Sequence, residues 1–114
     1  MSGLVGEALE YVNVHMTEDI SVQDIADALN VSRYYLSHEF KKSTGYGLWN
    51  YVISKRLVYS QKLLAEGASV TEACYESGFK DYAHFIKSFT KTFGCSPKQY
   101  GKSDDSIYMV KLNL

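Results

Sequence analysis

The stretch Gly47–Glu66, GLWNYVISKRLVYSQKLLAE, decides how the rest of the chain is read. It holds no proline and no internal glycine, and Gly67 follows it as a helix stop. Apolar side chains at Trp49, Val52, Ile53, Leu57, Leu63 and Leu64 recur at helical spacing, so one face is expected to be buried. Helical residues rise 1.5 Å each, so the stretch makes a rod of about 30 Å. That is close to one turn of B-DNA, whose successive major-groove faces lie ~34–36 Å apart. On either side of the rod the chain states nearly the same pattern twice.

The first copy is SVQDIADALNVSRYYLSHEFKKSTG, Ser21–Gly45; the second is SVTEACYESGFKDYAHFIKSFTKTFG, Ser69–Gly94. Ser21, Val22 and Asp24 match Ser69, Val70 and Glu72 at an offset of 48, whereas Leu36, Phe40 and Gly45 match Phe85, Phe89 and Gly94 at 49. The second copy therefore carries one extra residue, expected near the turn between its two helices. An insertion there changes a loop and leaves both apolar faces in phase, so two units of one architecture are expected.

Each copy reads as two short helices and a tight turn. Ser21 with Asp24 and Ser69 with Glu72 are capping-box pairs. In the first copy Val22, Ile25, Ala26 and Leu29 point inward, Asn30–Ser32 form the turn with Ser32 as N-cap, and a second helix runs from about Arg33 to Ser43 over Leu36 and Phe40. In the second, a helix runs to Ser77, Gly78-Phe79 makes the turn with Phe79 plugging the core, and the helix Asp81–Phe93 buries Phe85 and Phe89. Leu4–Met16, with Leu4, Val5, Ala8, Leu9 and Val12 on one stripe, adds an amphipathic helix before the first copy. Ser96-Pro97-Lys98-Gln99 opens a last short one through Tyr100. The expected fold is all-α, about seven helices: a first helix-turn-helix subdomain (1–46), a connecting helix (47–66), a second subdomain (67–102) and a tail (103–114). The tail has a polar start and alternating Ile107, Met109 and Leu112, which suits a short strand or packed extension as well as disorder.

A short basic helix following a tight turn is the part of this motif that enters a DNA major groove. With Leu36 and Phe40 inward, Tyr34, Ser37, His38 and Lys41 form the outward stripe at i, i+3, i+4 and i+7, flanked by Arg33 and Lys42. All can hydrogen-bond to base edges or phosphates. The matching stripe of the second copy is Ala83, Ile86, Lys87 and Thr90, with Tyr82 beside it; Ala83 and Ile86 suit thymine methyl groups, and an exposed isoleucine there is itself an argument for contact. Phosphate contacts are expected from Ser32, Lys55, Lys62, Lys80, Lys91, Ser96 and Lys98, the last helix offering its N-terminal N–H groups. Arg56 interrupts an inward stripe, so a structural ion pair with Asp24 or Glu72 is preferred to a phosphate contact.

The net charge of −1 sits awkwardly with nucleic acid until its distribution is read. Residues 1–30 carry Glu7, Glu10, Glu18, Asp19, Asp24 and Asp27 and no Lys or Arg. Residues 31–64 carry Arg33, Lys41, Lys42, Lys55, Arg56 and Lys62 against Glu39 alone, and 80–102 carry Lys80, Lys87, Lys91, Lys98 and Lys102 against Asp81 alone. Both basic blocks cover the second helix of a copy and the residues just after it. The rival reading is ordinary solvated helix faces on a protein-interaction module that keeps the fold without binding DNA. An enzyme is disfavoured: His15, His38 and His84 stand singly, with no HExxH, phosphate loop, CxxC or nucleophile–His–acid set, so no catalytic residue, metal or cofactor is expected. Cys74 and Cys95 read as buried small residues, no apolar run reaches the ~20 residues of a membrane span, and no signal pattern opens the chain, so a reducing cytoplasm is expected.

These residues resemble the AraC/XylS-type transcription regulators. Gly78-Phe79, Phe85, Phe89, Gly94, Pro97 and Tyr100 fall at the spacing of that family's signature, roughly G-F-x5-F-x-R-x-F-K-K-x2-G-x-[ST]-P-x2-Y-R. Tyr51-Val52, Arg56-Leu57 and Leu63-Leu64 look like its connecting helix, and Ile25-Ala26 with Leu36-x3-Phe40-Lys41-Lys42 like its first half. Lys87 and Gly101 stand where the family commonly has arginine, Thr90-Lys91 where it has two lysines, and Ala73-Cys74 where it has Ile-Ala. The resemblance covers about residues 5–101. It implies two recognition helices in adjacent major grooves of one double-stranded DNA, often bending it, and an activator's contact with RNA polymerase. It also implies an additional ligand-sensing or dimerisation domain, so the chain reads as a domain of a longer regulator or a stand-alone member.

Overall fold

The computed structural model describes residues 3–102, so the expectations for 103–114 lie outside the described residues. Seven helices follow one another in this range: α1 Gly3–His15, α2 Val22–Ala28, α3 Arg33–Thr44, α4 Leu48–Ala65, α5 Val70–Glu76, α6 Tyr82–Phe93 and α7 Pro97–Lys102. The described part is all-α, as expected, and no helix in it is long and apolar enough to cross a membrane. The chain divides into two compact units, residues 1–55 and 56–114, with the boundary inside α4.

In the first unit α1, α2 and α3 pack on one another in all three pairings. Their core is Val5, Ala8, Val12, Ile20, Ile25, Ala26, Leu36 and Phe40, joined by Leu48 and Val52 of α4. The second unit pairs α5, α6 and α7 in the same three ways. Its core is more aromatic: Phe79–Phe85, Phe85–Phe89 and Phe89–Tyr100 have ring centroids 5.1, 5.8 and 5.9 Å apart. The third helix of each unit comes from opposite ends of the repeat, α1 preceding α2–α3 and α7 following α5–α6. Cys74, the counterpart of Ala26, is free and wholly buried, and burial pushes its thiol up to about 11.

Local chemistry sets the helix ends. At α2 the Asp24 N–H donates to Ser21 Oγ (3.1 Å) and the Ser21 N–H to Asp24 Oδ2 (2.9 Å). At α5 the Glu72 N–H donates to Ser69 Oγ (3.0 Å) and the Ser69 N–H to Glu72 Oε1 (2.8 Å). Ser32 Oγ caps α3 by accepting from the Tyr35 N–H (3.0 Å), and Asp81 Oδ1 caps α6 by accepting from the His84 N–H (3.0 Å). Both α2 and α5 stop in paired bonds of one kind. Asn30 and Val31 donate to Asp27 and Ala26 carbonyls (3.2 and 3.1 Å); Gly78 and Phe79 donate to Tyr75 and Cys74 (both 3.1 Å). The residue between must take positive φ, 57° at Asn30 and 106° at Gly78. These positions keep the offset of 48, whereas the caps Ser32 and Asp81 are 49 apart. Lys80 is therefore the extra residue. Gly67 ends α4 likewise at φ 101°, with Gly67 and Ala68 donating to Leu64 and Leu63.

Replacing Ser69 by alanine is expected to cost about 1 kcal/mol in chemical denaturation at neutral pH. The Ser69 backbone N–H holds the Glu72 carboxyl below its ordinary value of 4.5. A depressed carboxylate contributes stability above its unfolded value and loses it as pH falls through the folded one. Ser69→Ala keeps that backbone N–H, so the pH test uses the carboxylate: the gap between Glu72→Ala and the parent should narrow in acid, and a gap independent of pH would show that the carboxylate bond contributes nothing.

Candidate nucleic-acid interface

α3 and α6 have the same length, 12 residues, and each ends at a left-handed glycine, Gly45 (φ 82°) and Gly94 (φ 77°). Glycine takes this conformation without Cβ strain. Both helices bury two apolar residues completely, Leu36 and Phe40 in one, Phe85 and Phe89 in the other. That anchoring fixes which stripe faces water.

On α3 the expected stripe is where the sequence places it. Tyr34 is 80% exposed, His38 and Lys41 are exposed, Ser37 is half-buried, and Arg33 and Lys42 flank them in solvent. Tyr34, Ser37, His38, Lys41 and Lys42 line a single shallow concavity. The Tyr34 and His38 rings stack with centroids 6.0 Å apart at 11°, so the imidazole stands beside a phenol rather than free. Ser32 lies exposed at the start of the helix. Its Oγ accepts the capping bond, which leaves its hydroxyl hydrogen for donation. Two aromatics were not expected here: Tyr35, 50% exposed, and Tyr46, 66% exposed just beyond Gly45. Tyrosine suits core and surface alike, and only the run of aromatic residues around α3 hinted at them.

On α6 Ala83, Lys87, Thr90 and Tyr82 are exposed. Ile86 is half-buried rather than freely exposed, so it is less anomalous than the sequence suggested. The Thr90 hydroxyl donates to the Ile86 carbonyl within the helix (2.8 Å), which spends its only hydrogen.

Of the residues expected at phosphates, Lys62, Lys80, Lys91 and Lys98 are exposed, and Lys55 is half-buried. Lys80 also has an intramolecular partner. The N-terminus of α7 offers less than expected. Its capping box engages the Ser96 and Gln99 N–H groups (3.0 and 3.1 Å), and Pro97 has none. Arg56 is 5% exposed and partnered, as an inward position requires. Asp24 and Glu72, the carboxylates suggested for it, each commit an oxygen to their own helix cap. No group of His, Cys, Asp or Glu among the described residues is arranged to hold a metal ion.

Comparison with known proteins points the same way. Residues 25–103 match the family model described as a helix-turn-helix domain. Regulatory protein PocR of Salmonella typhimurium is 32% identical over 95 residues, which are 82% of this chain and 31% of PocR. The C-terminal domain of AraT, a response regulator from Geobacillus stearothermophilus, superposes with a TM-score of 0.83 at 28% identity, covering 89% of this chain and 85% of that domain. The DNA-binding domain of AdpA, a global transcriptional factor solved in complex with a target DNA, superposes at 0.81 and 26% identity, covering 88% and 91%. The chain spans less than a third of PocR's length but nearly all of these solved domains. With its repeated cores, caps and turns, it belongs to the helix-turn-helix domain family of AraC/XylS-type transcription regulators.

Proposed function

We propose that the chain binds double-stranded DNA in a sequence-specific way and regulates transcription, with α3 and α6 as recognition helices in adjacent major grooves. The observation that carries this reading is the repeated stripe: two capped 12-residue helices, each with its inward pair fully buried and its opposite face in water. The similar AdpA domain was solved with its target DNA, which supports DNA as the ligand.

In this reading Arg33, Tyr34, Ser37, His38, Lys41 and Lys42 meet one groove, and Tyr82, Ala83, Ile86, Lys87 and Thr90 the next. Ser32, Lys55, Lys62, Lys80, Lys91, Ser96 and Lys98 hold the backbone, while Arg56 and Asp24 serve the fold. Phosphate contacts set register and orientation; base-edge contacts set sequence. The regulator's remaining parts, a ligand-sensing or dimerisation domain and contact with RNA polymerase, belong to the same proposal, since the chain matches only 31% of PocR.

Selection from random duplex tests it. Two boxes about one helical turn apart are expected. Lys41→Ala should weaken all sequences alike, whereas His38→Ala should relax discrimination at particular base pairs by about 1–3 kcal/mol. An unchanged ranking of sites with His38→Ala would show that the α3 face is misassigned. The net charge of −1 favours the interaction-module alternative, and a selection with no enrichment would decide for it.

A further inference from the structure

The two recognition faces carry different hydrogen-bonding capacity. On α3 every member of the stripe can donate: the Tyr34 and Ser37 hydroxyls, the His38 ring and the Lys41 ammonium. On α6 Ala83 and Ile86 have no polar side-chain atom, and the Thr90 hydrogen is committed to the Ile86 carbonyl at 2.8 Å. Thr90 keeps its methyl group and an acceptor lone pair. Lys87 remains as the donor on that stripe, with the exposed Tyr82 hydroxyl beside it.

In the major groove the thymine 5-methyl is the one apolar group a base presents, and alanine, isoleucine and a threonine methyl are its natural contacts. We infer that the chain reads its two boxes by unlike chemistry, α3 mainly through hydrogen bonds and α6 mainly through thymine 5-methyl groups, with Lys87 as the donor of the α6 stripe. This rests on the DNA-binding reading above and specifies it.

The test uses the duplex selected by the full chain. The α6 box is the one whose base preferences survive His38→Ala. Thymines are then replaced by deoxyuridine one box at a time, which removes the methyl and leaves the hydrogen-bonding edge intact. Kd should rise about fourfold for each contacted methyl lost from the α6 box, and less than twofold for the whole α3 box. At a contacted thymine, substitution by 5-methylcytosine should be tolerated better than by cytosine. Ile86→Ala should abolish most of the penalty.

An α6 box without thymine, or an equal uridine penalty in both boxes, overturns the inference and leaves DNA binding intact. Failure to select any duplex overturns both, and is seen before uridine is introduced.

Discussion

Phe89→Ala should remove about 3–5 kcal/mol of stability, the range for truncating a buried phenylalanine. The side chain is wholly buried and is the hub of an aromatic cluster, with ring centroids 5.8 Å from Phe85, 4.7 Å from Phe93 and 5.9 Å from Tyr100. Truncation leaves those three rings facing a cavity that a helix anchored at both ends closes poorly. Small domains hold only ~5–15 kcal/mol in all, so the loss is a large fraction of the total. The chain has a single tryptophan, Trp49, and it packs against the core of the first unit. Far-UV circular dichroism follows all helices, whereas Trp49 fluorescence follows the first unit. In Phe89→Ala the dichroism should therefore begin to fall at lower denaturant than the fluorescence. Coincident curves at a lowered midpoint would mean that the two units unfold as one cooperative block. A midpoint equal to the parent's would remove Phe89 from the core altogether.

Phe89 also illustrates what the sequence makes legible. The caps are local: Ser21 with Asp24, Ser69 with Glu72 and Ser96 with Gln99 sit three residues apart, so spacing alone announces the bonds found there. The inward pairs were equally legible, because only one helical stripe holds Leu36 with Phe40 or Phe85 with Phe89. The change of offset from 48 to 49 announced an insertion, but identifying it as Lys80 required the bonds at Asn30–Val31 and Gly78–Phe79. Other features depend on packing that no periodicity records. The repeat could not show that the Thr90 hydroxyl turns back to Ile86, or that Tyr35 and Tyr46 lie open to solvent. The consequence falls on the candidate site. The residues of each face could be named in advance, but the donors actually left on that face could not.

Affinity for a selected duplex should fall steeply with salt, and this is the largest effect expected of the interface. Neutralising ~5 phosphates gives a log–log slope near −4.5, so a tenfold rise in salt weakens binding by more than four orders of magnitude. Judged by its net charge of −1 alone, the chain is a poor candidate for such behaviour. Counterion release, however, depends on the cations seated against phosphates rather than on the sum over the molecule. The six acids among residues 1–30 all precede α3, and Lys41, Lys42, Lys62, Lys87, Lys91 and Lys98 are exposed in or after the recognition helices. Single Lys→Ala changes among those touching phosphate should each reduce the slope by about one and leave the order of preferred sequences intact. The same substitution at a lysine away from the DNA should leave the slope unchanged. A slope near zero with the parent chain would mean that no phosphates are neutralised, and the fold would then be serving a partner other than nucleic acid.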